Sequence, residues 1–126
     1  MKKSYQAEIE RANRVLATTT DNTIWKEQGK IIAKGINGMV AAFSVSIAMT
    51  NLLPTVLYYY ADKAKRRKVL QLIVDMLNDI HNDYPTLEDF LRKVTTHATD
   101  PALRQLVVDN AIGLKYIIRT YKQEEP

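Results

Sequence analysis

Residues 49–68 read MTNLLPTVLYYYADKAKRRK. An apolar stretch is interrupted by Asn51 and Pro54, three tyrosines follow, and bases fill five of the six positions from Lys63 to Lys68. The stretch has two readings, which imply different proteins. From Gly35 to Ala61 no residue is charged, long enough to cross a bilayer that needs about 20 apolar residues, with the bases as a cytoplasmic flank. The rival reading is a helical corner. Proline lacks an N–H and clashes with the carbonyl four residues back, so Pro54 belongs in a first turn, and Thr50 or Asn51 ends one helix and starts the next.

The polar content of the run favours the corner. Asn37, Ser44, Ser46, Thr50, Asn51 and Thr55 lie inside it, and an asparagine beside a helix break is costly in lipid but easily placed in a bundle. Every other segment has a wide apolar face that needs a partner, which a buried central hairpin supplies. The tyrosines point about 100° apart around a helix, so one or two rings pack while another faces water.

Working outward, helical periodicity dominates and no stretch alternates convincingly at period two. A first helix is expected from about Ser4 to Ala17. A second is expected over Ile24, Gln28, Ile31, Ile32, Gly35, Met39 and Phe43 to about Met49, begun by the N-cap oxygens of TTTDNT. A third holds Leu53 to Ala61, and a fourth carries Val69, Ile73, Met76, Leu77 and Ile80 on one face until Tyr84-Pro85 breaks it. Thr86 to Asp89 resembles a capping box for a short fifth helix through Phe90 and Val94. Asp100-Pro101 is an N-cap acid followed by a proline at the first helical position. The last helix, from Leu103 through Leu114 to Tyr121, should pack centrally. The fold class expected is all-α, a compact single-domain bundle of about six helices over residues 1–126.

The chain has 126 residues, 18 bases against 14 acids, a formal charge of +4 and no cysteine. This excludes disulfides, thiolate nucleophiles and Cys-ligated zinc, and the mild positive field favours polyanionic partners. The N-terminus MKKSYQAEIERANR has no apolar run after its lysines, which argues against a cleaved secretory signal; the expected compartment is the cytoplasm. No phosphate-loop, dinucleotide, nucleophile-elbow or zincin motif occurs. Gly35-Ile-Asn-Gly38 is read as permitting close helix packing. His81 stands between Asp79 and Asp83, but alternate positions do not converge on a helix, so no metal, cofactor or catalytic set is expected.

Three basic groups are candidates for anion contact. At the start of the fourth helix, Lys63, Lys65, Arg66, Arg67 and Lys68 oppose the helix dipole, a penalty that a phosphate on the free N–H groups would remove. Lys26, Lys30 and Lys34 are four apart, on one stripe of the expected second helix, where like charges repel. Arg104, Lys115, Arg119 and Lys122 lie on the outer side of the last helix, where three of them equally suit the complement of a helix C-terminus, the reading preferred for this group taken alone. Lys115 and Arg119 are carried as weaker candidates for anion contact than the 63–68 cluster. Trp25, beside a turn, is read as a core edge.

The order of LLPTVLYYYADK (52–63), a following helix and the terminal NAIGLKYIIRTYKQ (110–123) resembles the small helical subunit of the type III-B (Cmr) CRISPR effector complex. Leu52, Leu53, Pro54 and Thr55 match that family's corner, and Leu114, Lys115 and Tyr116 match its last-helix motif. The similarity runs from about Gln6 to Gln123. Where the family commonly has a glycine before the Leu-Leu pair, this chain has Asn51, the next residue most able to adopt positive φ. The resemblance implies a non-catalytic subunit of antiviral defence, copies of which stack on one another beside other subunits of an RNA-guided complex. It also implies contact with the guide RNA–target RNA duplex, nuclease work belonging to partners. The alternatives are a helical scaffold subunit whose tyrosines and helix faces contact proteins without touching RNA, and a single-span membrane protein.

Overall fold

The computed structural model describes residues 3–125. Among them are six helices, α1 (Gln6–Thr18), α2 (Ile36–Thr50), α3 (Leu52–Ala61), α4 (Arg66–Ile80), α5 (Leu87–Thr96) and α6 (Pro101–Ile118). Three two-residue strands, β1 (Trp25–Lys26), β2 (Ile31–Ile32) and β3 (Lys122–Gln123), complete the chain.

The uncharged middle folds back on itself. Asn51, at φ 119 and ψ 173, ends α2 and begins α3, and its side chain accepts the Leu52 N–H at 2.9 Å. Pro54 lies in the first turn of α3, where its missing N–H costs nothing because that group has no helical partner. The polar residues of the run meet across the corner: the Thr55 hydroxyl lies 2.7 Å from that of Ser46 and 3.3 Å from that of Thr50. No helix among the described residues is long and apolar enough to cross a membrane.

The segment before α2 departs from expectation. A single helix from Ile24 to Met49 was expected and no strand; instead 24–33 forms a hairpin, with Trp25 paired to Ile32 and Lys26 to Ile31, and α2 starts only at Ile36. Ile24, Trp25, Ile32 and Ala33 are buried, a set whose spacing fits a helix face as well as the two sides of a hairpin. Glycines decide between them. Gly29 follows Glu27 and Gln28 in a turn with positive φ throughout (50, 60 and 85), and Gly35 at φ 87 caps α2. The right-handed helix cannot run through either point. β2 also pairs in parallel with β3, Ile31 opposite Lys122 and Ile32 opposite Gln123.

The core forms around α4 and α6. α4 buries Val69, Leu70, Ile73, Val74, Met76 and Leu77, and α6 buries Val107, Ala111, Leu114 and Ile118, with Phe43 and Phe90 also fully inside. α6 takes α1, α2 and α4 against it, the central place its periodicity predicts. Its closest approach is at Gly113, where an added Cβ would stand 2.5 Å from the Cβ of Glu8. Close packing therefore belongs to Gly113. Gly38, read from the sequence as a packing glycine, has open space around it. The local start signals hold: Thr86 and Asp89 form a reciprocal capping box, and the Asp100 carboxylate accepts the Ala102 N–H ahead of Pro101.

Candidate nucleic-acid interface

The turn from α3 into α4 is built on Asp62. Its carboxylate accepts the backbone N–H of Ala64 at 3.0 Å and of Arg66 at 3.3 Å, together with the Arg66 guanidinium at 3.2 Å. Those N–H groups, Ala64 first, hold the carboxyl below its ordinary range. The sequence reading left the N-terminus of α4 open to an external phosphate. The chain's own acid already occupies it, and an outside anion must meet side chains instead.

Those side chains are held in place. The Arg67 Nε donates to the Tyr60 carbonyl at 2.6 Å, and the guanidinium lies 3.9 Å from the Tyr60 ring centroid. Arg66 lies 5.0 Å from the ring of Tyr58, which is 59% exposed. Lys65 Nζ donates to the Lys34 carbonyl at 2.7 Å, and Lys68 Nζ pairs with Asp21 at 3.2 Å. Lys63 is exposed and makes no hydrogen bond or ion pair with the described residues. Each anchored base uses only part of its donor set, since a guanidinium carries five N–H groups and an ammonium three. The turn thus presents cationic groups on short tethers. Stacking on an aromatic face also leaves the guanidinium edge available for a phosphate.

Between the arginine-bearing tyrosines, Tyr59 points inward. It is 2% exposed, its hydroxyl donates to the Met39 carbonyl at 2.6 Å, and its ring meets Phe43 edge-on at 4.9 Å. Burial pushes its phenol up to about 12. This ring fastens α3 to α2, so the two outer tyrosines have a rigid mount.

The remaining expected bases divide. Lys26, Lys30 and Lys34 do not form a stripe, because the helix that would align them is a hairpin: Lys26 lies on β1, Lys30 in the turn and Lys34 between β2 and α2. Lys34 alone joins the 63–68 group. Its backbone carbonyl receives Lys65, and its N–H donates to Glu124 Oε1 at 2.8 Å. Lys115 lies in the last turn of α6, 5.4 Å from the Tyr116 ring centroid, and Arg119 caps that helix. No contact brings either to the α3–α4 turn. Arg104 does not lie on an outer side; part-buried, it reaches the Ile47 carbonyl at 3.4 Å. Lys122 belongs to β3.

Two features of the site were missed from the sequence. Asp62 was not read as a cap, because it stands three residues ahead of the N-cap Lys65 and reaches the helix start only through the geometry of the turn. The Tyr58–Arg66 and Tyr60–Arg67 stacks cross a turn between two helices, so no single-helix spacing marks them. Fold and site together define a small, basic, mostly helical protein with a pre-arranged cationic turn. No protein family, curated protein or solved structure matches the chain.

Proposed function

We propose that this protein is a non-catalytic small subunit of a type III-B (Cmr) CRISPR effector ribonucleoprotein. It stacks with copies of itself along the complex in the cytoplasm and contacts the guide–target RNA backbone through basic side chains. The observation that carries the RNA contact is the gathering of Lys63, Lys65, Arg66, Arg67 and Lys68 at one turn, with the backbone of Lys34 held against it by Lys65 and both arginines stacked on tyrosine rings. Among the described residues, Asp62 and Asp21 pair with side chains of that group, and Glu124 accepts the Lys34 N–H. The family part of the reading is supported by the corner, where Asn51 takes a positive φ at the position the family commonly gives to glycine.

Backbone contact by such a surface is steeply salt-dependent, each neutralised phosphate adding roughly 0.7–0.9 to the slope of log affinity against log salt. Lys63→Glu combined with Lys34→Glu leaves the buried and stacked groups in place. It is expected to flatten the slope by about 1–2 in titrations of duplex RNA against the assembled complex or the isolated chain. An unchanged slope removes the turn from the RNA surface.

A second reading, a scaffold subunit without RNA contact, is favoured by one observation: α2 exposes Val45 at 56% and Met49 at 80% on a helix with no charged residue. Co-assembly of the charge-reversed variant with full stability, alongside no RNA affinity in the unmodified chain, would select it.

A further inference from the structure

A cleft of about 680 Å³ opens between the end of α1, the β1–β2 turn and Tyr121. Its volume falls in the range of small-molecule sites. Leu16, Ala17 and Trp25 supply its apolar side. Trp25 and Tyr121 meet there with ring centroids 5.0 Å apart and planes at 85°. Trp25 is 7% exposed, so a planar ligand stacks on the more open Tyr121 ring with its edge toward the tryptophan. Thr20 and Asn22 add hydrogen-bonding groups at the rim.

The opposite side is the turn Lys26 to Gly29, and its backbone is strained. Glu27 and Gln28, neither of them glycine, hold φ 50 and 60, with Gly29 at 85. Lys30 N–H closes this left-handed turn on the Lys26 carbonyl at 3.3 Å. The N–H groups of Glu27, Gln28 and Gly29 donate to no other group among the described residues. A helical turn directs its first N–H groups one way, and that holds for the left-handed hand as for the right. A four-residue hairpin connection has unstrained solutions. Strain kept at a cleft wall is a pointer to ligand contact.

From this juxtaposition of an aromatic pair with a strained turn of free N–H groups beside Lys26, we infer that the cleft binds a nucleoside 5′-monophosphate unit. The base stacks on Tyr121 beside Trp25, and the phosphate lies on the turn and Lys26. The cleft is separate from the cationic turn of α3–α4, and the inference stands whether or not that turn binds duplex RNA.

Trp25 is the only tryptophan in the chain, so its emission reports on the cleft. The full chain is titrated with AMP, GMP, CMP and UMP, and with ribose 5-phosphate and inorganic phosphate in parallel. A saturable change with at least one nucleotide and none with the two base-free controls is expected. Lys26→Ala should weaken that response by about three- to tenfold. Ala17→Phe, which fills the cleft from an exposed position on the last turn of α1, should abolish it. Should that variant lose its native circular dichroism, Thr20→Phe fills the rim from outside any helix and serves in its place.

The inference is overturned if no nucleotide gives a saturable change. An equal response to ribose 5-phosphate, or an unaltered titration in a folded cleft-filling variant, overturns it as well. Salt-dependent duplex binding is measured on the same variants. Its loss alone counts against the duplex reading, and loss of the nucleotide response alone counts against this one.

Discussion

Asn51 shows how one residue can set a corner at a cost. Its φ of 119 with ψ 173 lies in a region nearly reserved for glycine, and its hydrogen bond to Leu52 offsets only part of that strain. Asn51→Gly is expected to raise stability by about 1 kcal/mol, and Asn51→Ala to lower it by about as much, read from urea midpoints. Gly113 is the opposite case, a glycine required by a neighbour. A methyl there meets Glu8 Cβ at 2.5 Å and its backbone carbonyl carbon at 2.7 Å, and backbone yields little. Gly113→Ala should cost about 3 kcal/mol in the same assay. Tyr59 titrates near 12 when folded against an ordinary value of 10.0. The folded state favours the neutral phenol, so its contribution is complete below pH 10 and disappears as pH rises toward 12. The loss reaches about 2–3 kcal/mol at most. Subtracting the alkaline stability profile of Tyr59→Phe cancels the lysines and arginines and should leave that fall.

At the scale of elements, what could be read from the sequence was what is decided locally. The Asn51–Pro54 corner, the Thr86–Asp89 box and the Asp100-Pro101 start each rest on groups within four residues, and each stands where the sequence places it. The hairpin was misread because Ile24, Gln28, Ile31, Ile32 and Gly35 fall at the spacings of three and four that a helical stripe would give. The strand that completes its sheet lies far off, Lys34 and Glu124 being 90 positions apart. The candidate site divides in the same way. The bases at 63–68 and their joint position were visible, while the Asp62 cap and the tyrosine stacks depended on how α3 turns into α4. Asp62→Ala tests the cap: it frees the Ala64 and Arg66 N–H groups, so sulfate should raise the melting temperature of the variant more than that of the parent chain at matched ionic strength. Equal shifts would mean that the helix start never receives an outside anion.

In the molecule as a whole, the helices are joined by polar contacts as well as by the core. Arg11 Nη1 on α1 donates to Asn110 Oδ1 on α6 at 2.7 Å, and Arg14 on α1 pairs with Asp79 on α4 at 2.7 Å. These ties fix α1 across the two central helices. The cationic turn is fastened to the two segments flanking the hairpin, at Lys34 by Lys65 and at Asp21 by Lys68, and the hairpin to β3, so the surroundings of the candidate surface draw on three separate parts of the sequence. A basic surface assembled this way exists only in the folded chain. The unfolded chain carries the same charges without their arrangement, and its affinity for a polyanion should be weaker and less specific.

The parallel pairing of β3 with β2 has a consequence for synthesis. When the ribosome has delivered all six helices, β2 still lacks its outer partner, and the Ile32 carbonyl waits for the N–H of Glu124. The sheet that roots the hairpin can therefore close only after translation has passed that codon, which makes this edge the last part of the fold that synthesis can complete.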